Sequence, residues 1–217
     1  MMVDRLYLRP LDFYEDQNIT LHLGKMANRI DRKKKQVYVG DTAFDYDALI
    51  LTLGSQPRVL SDAISGQLGK VFTVRDLADV DGLAPEFIAK QRVLIIGGGY
   101  IGLEAAAVAA QRGLRVTLVE MAERILQRVA APQTSDFFRK LHTSNGVKIK
   151  EAVSVQKLLG ENGIVSTAIL SDGTQIDTDF VIVGVGITPV TDIAASSGLA
   201  VSDGIIVNAL GQTTDPN

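Results

Sequence analysis

The chain contains no cysteine. A redox dithiol, a thiolate-bound metal and a cysteine nucleophile are therefore excluded within its 217 residues. The same absence fits a reducing compartment, and a cytoplasmic location is expected. Histidine is scarce. His22 and His142 are the only two, far apart and without the spacing of metal ligands. Both are expected at the surface, and no metal is expected. No apolar run approaches the ~18 residues of a membrane span, and no secretory signal is expected. The formal charge is −3, from 25 acids and 22 bases. Nothing in that balance points to a nucleic acid or a membrane surface as partner. The one basic cluster, Arg29, Arg32, Lys33, Lys34 and Lys35, precedes the β-like run Gln36–Val39. It is expected at a solvated hairpin tip.

What is present is concentrated in residues 93–120. Val93-Leu94-Ile95-Ile96 reads as a strand, Gly97-Gly98-Gly99-Tyr100-Ile101-Gly102 as a glycine turn, and the Ala-rich run to Gly113 as a helix. Val116-Thr117-Leu118-Val119 is a second strand, and it ends in an acid, Glu120, 23 positions beyond Gly97 (120 − 97). A bare G-x-G-x-x-G is weak evidence. Flanked by a strand and a helix, with an acid about 20 residues on, it is a dinucleotide fingerprint. Gly97 allows the tight turn, Gly99 lets a pyrophosphate approach the backbone, and Gly102 lets the helix pack on the sheet. The helix start points free N–H groups and a positive dipole end at the phosphates. Gly97, Gly98, Gly99, Tyr100, Ile101 and Gly102 are the expected NAD contacts, with Glu120 accepting from the adenosine ribose. A 2′-phosphate beside that carboxylate would be repelled, so NAD ranks ahead of NADP. Arg124 and Arg128 follow closely and suit a phosphate, and Arg128 joins the expected contacts.

Before the fingerprint, residues 19–23, 27–30, 36–39 and 48–53 read as strands. The last is apolar enough for burial on both faces and ends in the breaker cluster Gly54-Ser55-Gln56-Pro57. Residues 75–83 read as a helix and 85–90 as a short helix or turn. After Glu120 come an irregular segment, a helix over 133–143 and four β-like runs, 147–150, 154–159, 164–170 and 175–176. Asn162-Gly163 and Asp172-Gly173 supply turns between them. A buried strand, Phe180–Val183, leads into Gly184-Val185-Gly186-Ile187-Thr188-Pro189, and 192–197 is a short helix. The expected fold is α/β: a doubly wound Rossmann-like NAD-binding domain with a parallel sheet and a β-meander.

These motifs resemble the flavin-dependent pyridine nucleotide-disulfide oxidoreductases, and within them the ferredoxin reductases of oxygenase systems. The matching stretches are Tyr46-Asp47-Ala48-Leu49-Ile50-Leu51-Thr52-Leu53-Gly54, Val74-Arg75-Asp76-Leu77, the fingerprint through Glu104, and the 184–189 loop. The resemblance implies hydride transfer from NADH to FAD, then electrons to a [2Fe-2S] ferredoxin or a rubredoxin. It implies that Tyr100 gates the nicotinamide pocket and that Glu104 faces the nicotinamide–flavin contact, the pair nearest the chemistry. Gly184, Gly186 and Ile187 match the loop at the nicotinamide end. Ala27, Gly54 and Arg75 match contacts to FAD.

Two departures stand out. Thr52-Leu53-Gly54 replaces the family's usual Ala-Thr-Gly, and no second G-x-G-x-x-G precedes Gly97. The resemblance thus implies an internal part of a longer flavoprotein, with a partial FAD-binding domain expected over 1–84, the NAD(H)-binding domain over 85–203 and a return into the first over 204–217. Two other readings stay open on these residues: a nucleotide-binding module without catalysis, and a flavin-dependent disulfide or peroxide reductase.

Overall fold

Val93 to Ile96 and Phe180 to Val183 are buried at every position. A strand that is apolar throughout must be covered on both faces. The computed structural model, which describes residues 6–217, explains both runs. Val71–Phe72, Phe180–Val183, Arg92–Ile96, Arg115–Val119 and Lys148–Lys150 form, in that order, a five-stranded sheet with every neighbouring pair parallel. Side chains alternate between its faces. Val93, Ile95, Val116, Leu118, Phe180 and Ile182 join Leu103, Ala106 and Ala109 of the helix Tyr100–Gln111. The small alanines bring that helix close to the sheet. Leu94, Ile96, Val119, Val181 and Val183 face the other way, onto Leu158, Val165, Ala168 and Leu170. Those belong to an antiparallel meander of Val155–Glu161, Ile164–Leu170 and Gln175–Asp177. One face is thus covered by helices and the other by strands. Each of the buried valine, leucine and isoleucine side chains contributes about 1.5–3 kcal/mol on burial.

The chain divides into two compact units, residues 54–190 and residues 1–53 with 191–217. These bounds differ from the expected 84/85 and 203/204. Residues 54–84 pack in the sheet-bearing unit, and residues 191–203 in the other. In the smaller unit, Arg29–Asp31, Gln36–Val39 and Thr42–Asp45 form an antiparallel sheet. Its basic hairpin is less solvated than expected. Arg32 pairs with Asp215 at 2.6 Å and donates to the Gly198 carbonyl, and Lys35 Nζ donates to Asn217 Oδ1.

Several expectations on local structure are corrected. Residues 19–23 form no strand, whereas Thr42–Asp45 does. The apolar run 48–53 joins no ladder among the described residues: Ile50 is 85% exposed and Leu49 N–H donates to the Asn217 carbonyl. A hydrophobic run becomes a strand only where a partner completes its hydrogen bonds. Conversely, part of the breaker cluster, Ser55–Pro57, is a strand, antiparallel to Ile187–Pro189. The rungs at its two ends are Val190 N–H to the Gly54 carbonyl and Arg58 N–H to the Gly186 carbonyl. Pro57 and Pro189 sit between those rungs, where an antiparallel ladder needs no N–H. No helix among the described residues is long and apolar enough to cross a membrane.

His142, expected at the surface, is buried at 7% exposure in the last turn of the helix Pro132–Ser144, near the Phe138 ring. Burial pushes its pKa below the ordinary histidine value. The unfolded chain therefore takes up this proton first as pH falls below about 6.5. Folding stability is expected to decline from there down to the lowered folded pKa. Urea denaturation at pH 7.5 and 5.5 checks this. The wild type should lose more stability between the two than His142→Gln, and an equal loss would refute it.

Candidate functional site

The sheet order creates a switch point. From Arg92–Ile96 the chain moves to Arg115–Val119 and then Lys148–Lys150 on one side, whereas Phe180–Val183 returns on the other. In open α/β sheets, ligands bind in the crevice at the carboxyl ends of two such diverging strands. Both strands here end in glycine loops, 97–99 and 184–186, and the Gly184 N–H donates to the Ile96 carbonyl at 2.8 Å.

Each glycine of the first loop answers a different constraint. Gly97 has φ +108°, and a side chain on it would strike the Gly184 carbonyl oxygen. A β-carbon on Gly102 would collide with the Gly97 carbonyl oxygen. One on Gly98 would lie 2.7 Å from Ile125 Cγ2. Gly99 is the exception: its backbone is extended, and a β-carbon there would meet nothing within 4 Å. The space before Gly99 is open. The N–H groups at the start of the helix Tyr100–Gln111 have no acceptor within the helix. A positive helix end, free donors and open room fit a pyrophosphate.

The loop is held from behind. Gly97 N–H donates to the Val119 carbonyl at 2.8 Å, and the Gly98 carbonyl accepts from Leu126 N–H at 2.9 Å. Glu120 is no solvated strand end: Oε2 accepts from Gly98 N–H at 2.6 Å and Oε1 from Ala122 N–H at 2.7 Å. Each oxygen keeps lone-pair capacity for a ribose hydroxyl. The acid that would read the ribose also pins the glycine turn. Tyr100 is 59% exposed and Ile101 45%, and Glu104 is exposed one turn further on. Tyr100 is therefore not a core aromatic.

The segment after Glu120, irregular by sequence, is an ordered brace. Leu126 is buried, with a left-handed φ of +56° that a branched residue rarely adopts. Ile125 N–H donates to Glu151 Oε1 at 2.7 Å, and Arg139 grips both Glu151 oxygens. Arg124 donates to Ser135 Oγ and to the Gln127 carbonyl, so its guanidinium serves the brace. Arg128 is exposed on the same turn. Leu126, Ser135, Arg139 and Glu151 carry no signal in the sequence, because their roles depend on backbone groups far along the chain.

On the second loop, Gly186 has φ +108°, and Ile187 is half exposed. Gly54 and Arg75 come together: a β-carbon on Gly54 would lie 3.3 Å from Arg75 Nη2. Arg75 Nε donates to the Ser55 carbonyl at 2.8 Å, and its backbone N–H to Asp79 Oδ2. The remaining guanidinium donors suit an anionic cofactor such as FAD. Ala27 belongs to the smaller unit, where it is exposed ahead of Arg29–Asp31. Among the described residues, no cluster of His, Asp and Glu could hold a metal ion.

Known proteins are similar to this chain in sequence and in fold. A ferredoxin–NAD(P)(+) reductase of Sphingomonas sp is 41% identical over 215 residues, covering 99% of this chain and 52% of that protein. Putidaredoxin reductase of Pseudomonas putida is 40% identical over 219 residues, covering 98% of this chain and 52% of that protein. In the solved covalent putidaredoxin reductase–putidaredoxin complex, one chain matches with a TM-score of 0.92 and 38% identity, covering 100% of this chain and 53% of that one. The chain spans about half the length of the curated relatives it matches. The pyridine nucleotide-disulphide oxidoreductase family matches residues 9–217, and the chain belongs to that family.

Proposed function

We propose that this chain is the NADH-binding part of a flavoprotein reductase. In the whole protein a hydride passes from NADH to FAD, and electrons go on to a [2Fe-2S] ferredoxin or a rubredoxin. The observation that carries the reading is the pair of glycine loops, 97–102 and 184–187, at the switch point of the parallel sheet. The named activities of its relatives, ferredoxin–NAD(P)(+) reductase and putidaredoxin reductase, support it.

FAD, when bound, supplies an acceptor that takes two electrons together and releases them singly. The chain's own residues bind, orient and exclude water. The N–H groups of Gly99, Tyr100 and Ile101 hold the NADH pyrophosphate. Glu120 takes the adenosine ribose and repels a 2′-phosphate, with Arg128 at the rim. The 184–187 loop, small at Gly184 and Gly186, receives the nicotinamide end. Tyr100 covers that end until the nicotinamide arrives, and Glu104 borders the contact with the flavin. Gly54, Arg75 and Ala27 are assigned to FAD. Residues 85–203 carry the NAD(H) role, and 1–84 with 204–217 the flavin side. No side chain is required as a general base. The proposed location is cytoplasmic.

The purified 217-residue chain is expected to bind one NADH. It should carry far less than one FAD. A flavin pyrophosphate needs its own strand, glycine turn and helix, and this sequence holds one G-x-G-x-x-G. Calorimetric titration and the visible spectrum decide. Failure to bind NADH would sink the nucleotide reading. A yellow protein with one FAD per chain would sink the assignment of the single cradle to NADH.

A further inference from the structure

We infer that Arg58 is a positioning residue for the nicotinamide-side loop, an assignment that rests on reading 184–187 as that loop. Arg58 takes two consecutive carbonyls of the loop. Its backbone N–H donates to the Gly186 oxygen at 2.9 Å, and its Nε to the Ile187 oxygen at 3.1 Å. The two bonds act on opposite sides of the chain. In the ladder between Ser55–Pro57 and Ile187–Pro189, Ile187 stands opposite Pro57, at a pair without rungs. The Ile187 carbonyl therefore points away from the partner strand. The Arg58 side chain reaches round to that outer face, while its backbone supplies the last inner rung.

The restraint has a purpose because of where it falls. Gly186, at φ +108°, has no β-carbon, and a β-carbon there would meet only Arg58 Cδ, at 3.9 Å. A glycine loop on its own samples many orientations. Peptide groups are planar, so a carbonyl held by Arg58 also sets the direction of the next N–H. Arg58 in this way orients the Ile187 and Thr188 N–H groups. The same ladder continues to Gly54, and Arg75 holds the Ser55 carbonyl at 2.8 Å. The loop is thus tied to the segment assigned to the flavin.

Two ligands separate this role from general stability. ADP-ribose carries the phosphates and the adenosine ribose and reads the glycine cradle alone, whereas NADH also needs the 184–187 loop. Both are titrated into wild type, Arg58→Ala and Arg58→Lys, well below the melting temperature. Arg58→Ala is expected to weaken NADH about three- to ten-fold, the size of one lost hydrogen bond, and ADP-ribose by no more than about two-fold. Arg58→Lys, which can donate to the same carbonyl, should recover most of the NADH affinity. Equal weakening of both ligands would make Arg58 a purely structural residue and overturn the inference. Unchanged NADH affinity in Arg58→Ala, with a wild type that binds both ligands, would overturn it alone. A wild type that binds neither would overturn the proposed function and this inference together.

Discussion

Gly99→Val is expected to abolish NADH binding while the protein stays folded. The backbone at Gly99 has φ −81° and ψ −173°, an extended conformation open to any residue, and a β-carbon there has nothing within 4 Å. The valine methyl groups would instead fill the space in which the pyrophosphate meets the backbone. A loss of at least about 100-fold in affinity, about 2.7 kcal/mol, is expected. Gly102→Val, three residues on, should behave in the opposite way. Its β-carbon would strike the Gly97 carbonyl oxygen, so the helix must lift from the strand end. Overpacking of that kind costs about 1–3 kcal/mol or more and should appear as a lowered melting temperature. Circular dichroism with thermal melts, beside NADH titration, checks both variants. Wild-type affinity in Gly99→Val would show that the 97–102 turn does not hold the phosphates.

The second large effect is cofactor choice. NADH is expected to bind more tightly than NADPH, because Glu120 ends the strand Arg115–Val119 where the adenosine ribose would lie. Glu120→Ala removes a charge-assisted acceptor worth about 1.5–3 kcal/mol, so NADH affinity should fall at least about ten-fold. Loss of the negative charge should also relieve the repulsion of a 2′-phosphate. The ratio of NADH to NADPH affinity should therefore move toward one. The hydrogen bonds from Gly98 and Ala122 N–H add a second consequence: with Glu120 gone, the glycine turn loses a support, which should weaken both cofactors. Parallel titration of the two cofactors into wild type and variant measures each part. An unchanged ratio would show that Glu120 acts only as a brace.

The sequence by itself determined the features that depend on local backbone demands or on continuous burial. Arg92–Ile96 and Phe180–Val183 were legible because a strand covered on both faces leaves no polar alternation. The turn at Gly97 was legible because its positive φ and its crowding against Gly184 exclude a side chain. The place of Glu120 at the end of the strand Arg115–Val119 was legible from its distance along the chain. Only the tertiary structure decided the rest. The run 48–53 has the composition of a buried strand, yet Ile50 is 85% exposed, because strand formation requires a partner and not merely apolar residues. Ser55–Pro57 has the composition of a breaker and is a strand, because its prolines fall between the rungs that its partner sets. The brace of Leu126, Glu151 and Arg139, and the grip of Arg58 on the 184–187 loop, join segments distant in sequence through hydrogen bonds that end on backbone groups. Such bonds leave no periodicity or motif, since any residue supplies the backbone half of each. They come into being only when the fold brings the two segments together.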